Sequence, residues 1–463
     1  MQPSELTLSA RYVFPVDAPP IESGCVRIAE GRIVYVGKLD RESDEDLGNA
    51  AIVPGLVNAH THLELSNLRA KNFTSRDFAG WLRRVVEQRR RLTRSGVAHA
   101  IQRGIDSSLA AGTTLVGDIS TGGQSWVPLL RSPLRATVFC ELLGLRTKRA
   151  LETAGAARQF LEWCSRPATG APSQEATYAA GNGRTALEFD DGSELDALPP
   201  VRLEGHAPRL VPGLSPHSPY STHPLLYELA SHWDGPGPLT THLAESPEEL
   251  RLLEHGDGPL RDFMVEIGAW DDAWQPAGPS PVDYVLTLAA GRRKWLIAHG
   301  GCLGDEEIKR LAGGSAPAGT GVGDRPQSQE RIAVAFCPRT HFFFGRPRHP
   351  YQRLITAGIP VCLGTDSLAS APSLSVLDEV RFLHRRDDSL GGPMLLHMAT
   401  LAGAAALGRS GDVGSLVRGK AADICIVTLP DREAADPHRL ILESDLPVLR
   451  TIVGGRTVFQ LRS

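Results

Sequence analysis

Eight short apolar runs, each followed by small or polar residues, alternate along this chain with stretches of helical spacing. The runs are Ile52–Ala59, Thr113–Ile119, Ala136–Leu142, Leu210–Ser215, Leu239–His242, Trp295–Ala298, Ile332–Phe336 and Ile359–Gly364. Helical periodicity between them is clearest over Phe78–Leu92 and Leu374–His384. Strands that are apolar almost throughout are buried on both faces, as in a parallel sheet covered by helices. Eight strand–helix units predict an α/β chain folded as a distorted (β/α)8 barrel of TIM type.

The two ends read differently from the middle. Leu6–Tyr12, Gly24–Ala29 and Gly31–Val36 are strand-like with turn residues between them, and so are Ala422–Val427, Val448–Gly454 and Arg456–Leu461. Neither end alone can build a core, and isolated antiparallel pieces need partners. The expectation is one small β-sandwich domain from residues 1–53 and 410–463, beside a barrel over 54–409. Two segments, 165–208 and 313–330, are rich in small and polar residues without apolar periodicity and read as insertions.

Bulk properties exclude several classes of function. A net charge of −4 on 463 residues comes from nearly balanced acids and bases, which points to neither nucleic acid nor an anionic membrane. The N-terminus lacks the basic-then-apolar pattern of a signal peptide, and no stretch approaches a membrane span. Seven scattered cysteines without a C-x-x-C pair read as reduced core thiols, so the cytoplasm is the expected compartment. A small-molecule substrate is expected, and a homodimer is compatible with this composition.

The residues just beyond the runs carry the chemistry. His60-Thr61-His62 follows the first run, Ser215-Pro216-His217 the fourth, His242 and Glu245 the fifth, His299 the sixth, and Gly364-Thr365-Asp366-Ser367 the eighth. In a barrel these C-terminal strand ends converge on one face, where active sites lie. Residues two apart on a strand point the same way, so His60 and His62 can reach one ion. Imidazole and carboxylate donors suit Zn2+ or Fe2+, with a position left open for water whose pKa falls to about 7. His217 and His299 read as facing the substrate or the inner ligands. Two alternatives stand beside this: Asp366 as the N-cap of a following helix, and Glu245 as a helix N-terminal residue before the PEEL segment.

The segments PGLVNAHTHLE, GLSPHSPYS, THLAES, AHGGCL, AFCPRTHFFFG and PVCLGTDSLAS resemble the amidohydrolase superfamily, in its branch of cytosine deaminases, chlorohydrolases and adenosine-type deaminases. The resemblance covers most of the chain apart from the two insertions. It implies one divalent metal, zinc or iron, on His60, His62, His242 and Asp366. It also implies a proton-transferring Glu245, a water-orienting His299 acting with Asp366, and His217 on the substrate. The bridging lysine of binuclear relatives is missing after the fourth run, where SPHSPY stands. P-C-x-x-C is also absent, which excludes the zinc cytidine-deaminase arrangement.

The segments HLELSN and FAGWLRRVVEQRR resemble aminodeoxyfutalosine deaminases, with adenosylhomocysteine and methylthioadenosine deaminases next. Several of the latter carry a ribose-binding Glu nine residues beyond the Trp, where this chain has Arg90, with Glu87 nearby. Glu64 and Glu141 are expected either on the substrate or as carboxylates paired with arginine. Arg339, His341 and Ser367 are expected to line the pocket. Guanine or cytosine deamination and chloride displacement are the other reactions of the branch. A barrel kept only as a scaffold is the non-enzymatic alternative, and the filled ligand positions argue against it.

Overall fold

The computed structural model describes residues 5–73, 77–165, 186–188, 194–196, 198, 208–275, 280–288, 294–313, 332–387 and 389–462. Its centre is a parallel barrel of eight strands. They are β1 (Leu56–Thr61), β2 (Thr113–Thr121), β3 (Arg135–Leu142), β4 (Leu210–Pro216), β5 (Leu239–Leu243), β6 (Trp295–His299), β7 (Ile332–Phe336) and β8 (Val361–Leu363). Each strand pairs with the next in chain order. The β4–β5 joint is thin, with only Leu214 opposite Leu239 in register, and the barrel is distorted there.

Closure runs through β1 and the end of β8. Thr61 and Asp366 form a parallel bridge, and the His60 carbonyl accepts from both Thr365 N–H (3.1 Å) and Asp366 N–H (3.0 Å). Asn58 completes the seam, donating to Thr365 Oγ1 and accepting from the Thr365 N–H. A Cβ at Gly364 would stand 2.8 Å from the His60 carbonyl oxygen, so only glycine lets the two backbones come this close.

Four helices matter to the site: α1 (Phe78–Arg90), α2 (Pro247–His255), α3 (Pro338–Phe343) and α4 (Val376–Arg386). Helix α1 starts where the Asp77 carboxylate accepts from Gly80 N–H, and it buries Phe78, Trp81 and Val85 on one face. Helix α2 is capped by Ser246 and ends at Gly256, which is left-handed at φ 71°.

Both termini enter one mixed sheet. Its strands, in spatial order, are Arg456–Gln460, Val448–Val453, Ile424–Thr428, Ala50–Pro54, Glu5–Val13, Ile21–Ala29 and Arg32–Lys38, with Glu45–Asp46 also on Glu5–Val13. The sheet curls until Arg32, on its edge strand, bridges Ala421 just before the interior strand Ile424–Thr428, and it encloses one core of Leu8, Val26, Ile33, Ile52, Ile424 and Ile452. The sandwich-like enclosure is thus a single hydrogen-bonded sheet.

The structure corrects the first apolar run. Ile52–Ala59 is two strands: Ala50–Pro54 belongs to the terminal sheet, and β1 begins at Leu56. Both are fully buried, so hydropathy does not mark the boundary; Pro54-Gly55 does. The two expected insertions fall almost wholly outside the described residues. Within the first, Ala186–Glu188 pairs antiparallel with Glu194–Asp196. All seven cysteines are free, and no described helix is long and apolar enough to cross a membrane.

A buried ion pair joins barrel to sheet. At the start of β3, Arg135 Nε donates to Asp423 Oδ2 at 2.7 Å, and Asp423 Oδ1 accepts from Gly454 N–H at 2.8 Å. Asp423→Ala removes the close partner of a largely buried guanidinium and leaves it only Asp412 at 3.8 Å, which costs about 2–3 kcal/mol. Thermal unfolding followed by circular dichroism is expected to show a clearly lowered Tm. A melting curve equal to that of the wild type would contradict this account of the joint.

Candidate active site

His60 and His62 project from the end of β1 and His242 from β5. One ligand-type atom from each of the three lies within 4.8 Å of the other two. His62 Nε2 is 3.4 Å from His242 Nε2, and Asp366 Oδ1 is 3.6 Å from His62 Nε2 and 4.0 Å from His60 Nε2. A tetrahedral ion with bonds near 2.0–2.1 Å would space its ligand atoms about 3.3–3.5 Å apart. The two His62 spacings are close to that, and the His60–Asp366 spacing of 4.0 Å is wider.

The donors are also in the state a divalent ion requires. Both ring nitrogens of His60 are buried without a hydrogen-bond partner, a costly arrangement unless something is bound between the rings. Burial and the neighbouring imidazoles hold His60 and His62 well below the usual histidine pKa, so both are neutral. His242 Nδ1 lies 3.0 Å from the His217 carbonyl, which can only accept, so the proton sits on Nδ1 and the Nε2 lone pair faces the cluster. Asp366 Oδ2 accepts from Ser370 Oγ at 2.8 Å, leaving Oδ1 toward the histidines. These residues can hold a divalent cation.

Three non-glycine residues at these strand ends have left-handed backbones: Ala244 at φ 50°, His299 at 68° and Asp366 at 56°. Such conformations cost about 1–2 kcal/mol each and need support. At Ala244 the support is Glu249, whose two carboxylate oxygens accept from the N–H groups of Ala244 (3.1 Å) and Glu245 (2.7 Å). At His299 the carbonyl accepts from His349 Nε2 at 2.7 Å. At Asp366 it is the closure seam.

Glu245 and His299 face each other, with Oε2 3.7 Å from Nε2. Desolvation pushes the Glu245 carboxyl up to about 8, while burial, then the neighbouring imidazole of His242 and the guanidinium of Arg346, push His299 well below its ordinary value. A protonated acid beside a neutral imidazole is the outcome near neutral pH. The alternative helical readings of these acids do not hold. Ser246 caps α2 with Glu245 outside it, and Ser375 caps α4, nine residues beyond Asp366.

A cavity of about 350 Å³ opens onto this group. His62, Glu64, Glu141, His217, His242, Glu245, His299, Asp366 and Ser367 all line it, against an apolar wall that includes Phe78 and Trp81 of α1. Glu64 Oε1 pairs with Arg89 Nη2 at 2.6 Å and accepts from Thr121 Oγ1 at 2.9 Å, so it both faces the cavity and meets an arginine. Glu141 accepts from the same hydroxyl at 3.3 Å and has Oε1 4.0 Å from His217 Nε2. His217 Nδ1 is 2.5 Å from Ser221 Oγ.

Two expected pocket residues lie elsewhere. Arg339 is locked to Glu379 (Nε to Oε1, 2.7 Å) and to Ser373, which ties α3 to α4. His341 donates to the Pro347 carbonyl and packs beside His349. A cation and an imidazole after a strand end resembled pocket groups, but α3 turns both away from the barrel axis. Glu87 is exposed on an ion pair with Arg91, while Arg89 and Arg90 line the cavity.

Sequence reasoning also missed Glu249, hidden within PEEL, and Arg346, one of three arginines in FGRPRHPYQR with no spacing signal. Arg346 is buried with Nη2 3.7 Å from Glu245 Oε1.

The Amidohydrolase family model matches residues 51–458. The chain belongs to the amidohydrolase family. It is 29% identical to an aminodeoxyfutalosine deaminase of Deinococcus radiodurans over 79% of this chain and 75% of the relative. It is 24% identical to a 5-methylthioadenosine/S-adenosylhomocysteine deaminase of Moorella thermoacetica over 92% and 86% of the two chains. The crystal structure of Helicobacter pylori aminofutalosine deaminase with methylthio-coformycin superposes at a TM-score of 0.75, with 22% identity, covering 98% of this amidohydrolase and all of that chain (100%).

If His62 holds a metal, His62→Ala should still fold but lose it. Elemental analysis of the purified variant is expected to fall from about one ion per chain to a small fraction. Full occupancy in the variant would remove His62 from the ligand set.

Proposed function

We propose that this amidohydrolase removes the amino group of an adenine-type nucleoside by hydrolysis, with an aminodeoxyfutalosine-like substrate preferred. In this reading one zinc ion is held by His60, His62, His242 and Asp366. The observation that carries it is the carboxyl of Glu245, pushed up to about 8 by desolvation, in the cavity that His62, His242 and Asp366 also line. Three imidazoles and one carboxylate form a donor set typical of zinc, and Fe2+ is the other metal it suits. The ion supplies Lewis acidity that activates water near neutral pH.

The chain's own residues supply the rest. Glu245 donates its proton to the ring nitrogen beside the amino-bearing carbon as water adds there. Its carboxylate then takes a proton from the added water and delivers it to the departing ammonia, and the remaining hydroxyl proton returns to Glu245 as the carbonyl forms. His299, neutral and facing Glu245, orients the water together with Asp366. His217 holds the base, and Glu64, Glu141 and Ser367 contact the remainder of the substrate. Phe78 and Trp81, stacked at 5.8 Å between centroids, give an aromatic wall suited to a flat heterocycle. A cavity of about 350 Å³ is in the range of small-ligand sites.

The names of the relatives support the nucleoside class. Methylthioadenosine and adenosylhomocysteine are the nearest alternatives, and Arg90 in place of the α1 carboxylate argues against them. We also assign residues 1–53 and 410–463 to one small domain, 54–409 to the barrel, and the protein to the cytoplasm.

Ammonia release should be screened with aminodeoxyfutalosine, methylthioadenosine, adenosylhomocysteine, adenosine, guanine and cytosine, and chloride release with a chlorotriazine. Aminodeoxyfutalosine is expected to give the highest kcat/KM. Glu245→Gln should keep its metal and lose about 100-fold or more in turnover, since an amide cannot shuttle protons. Chloride release without ammonia from any nucleoside would overturn the assignment.

A further inference from the structure

Glu245 is surrounded by more negative than positive groups. His299 faces it from the end of β6, Asp366 from β8, Tyr220 from the loop after β4, and Glu248 and Glu249 from α2. His299 is neutral, and burial keeps the phenol of Tyr220 and the thiols of Cys302 and Cys337 protonated. Among the described residues facing Glu245, Arg346 is the cation.

Its placement is fixed from three sides. The guanidinium lies 4.3 Å from the centroid of Phe344 and 5.2 Å from that of Phe78, which also lines the cavity. The loop that carries it is pinned on either side, by the His341–Pro347 hydrogen bond and by His349 on the His299 carbonyl. Its side chain is 6% exposed, and Nη2 has no hydrogen-bond partner although it stands 3.7 Å from Glu245 Oε1. A buried donor left open beside one carboxylate oxygen is satisfied when that carboxylate is ionised and moves slightly closer. The other oxygen, Oε2, is then kept toward His299.

We propose that Arg346 is a positioning residue for Glu245: it fixes the carboxylate's orientation and stabilises its ionised form after the proton has left. A purely structural arginine would act only on folding. This one makes Glu245 a strong enough acid to release its proton in a site whose other charges oppose ionisation. The inference rests on the role of Glu245 proposed above, so its test includes a reading that needs no turnover.

In metal-loaded protein carrying 13C-labelled glutamate carboxyls, the Glu245 signal is assigned by its loss in Glu245→Gln and titrated by NMR. An opposite charge at this range lowers a carboxyl pKa, so Arg346→Gln is expected to raise the Glu245 midpoint by about one pH unit or more. Arg346→Lys, which keeps the charge, should hold the midpoint close to wild type. In aminodeoxyfutalosine turnover, Arg346→Gln should lower kcat about tenfold and move its alkaline limb upward, and lysine should restore most of both. A midpoint unchanged in Arg346→Gln, or displaced as far by lysine as by glutamine, would overturn the proposal. If the wild type releases no ammonia from any nucleoside while the midpoint moves as expected, the arginine–glutamate coupling stands and the deaminase reading falls.

Discussion

The His60 carbonyl, accepting two backbone N–H groups from Thr365 and Asp366, is the contact on which the rest depends. It closes the barrel between its first and last strands. It also brings Asp366 to the histidines of β1, so barrel closure and assembly of the donor cluster are one event. Gly364 permits the approach, Asn58 reinforces it from the adjacent position, and Thr61 Oγ1 donates to the Asp366 carbonyl on the other side. Each costs little alone, but together they hold a left-handed Asp366 that would otherwise relax.

Around that seam the site is a set of buried polar groups that do not satisfy one another. His60 has two open nitrogens, Glu245 carries a proton at neutral pH, and Arg346 has an unused donor. In a structure tuned for stability alone such groups would be paired or replaced by apolar ones. Their persistence around one cluster of metal-type donors and Glu245, supported by residues such as Glu249 and His349, is the mark of a site prepared for a ligand and for proton movement.

Much of this was legible in the sequence because barrel geometry converts chain position into spatial position. Four strand ends carrying His60, His62, His242, His299 and Asp366 must meet if the strands close, and in the structure they do. Spacing failed where that conversion does not apply. Arg339 and His341 also follow a strand, yet α3 begins at once and turns them outward. The first apolar run hid a boundary because strands of both sheets are equally buried. Arg346 lies in a loop whose path is set by tertiary contacts, and no local pattern distinguishes it from Arg348 or Arg353.

The donors His60, His62, His242 and Asp366 are placed to hold one ion among them. Anomalous diffraction at the zinc edge on crystals of the zinc-loaded protein tests it directly. A single peak is expected within about 2.0–2.2 Å of the three Nε2 atoms and of Asp366 Oδ1. Two peaks in the cavity, or one peak elsewhere with the His60 nitrogens still open, would contradict it.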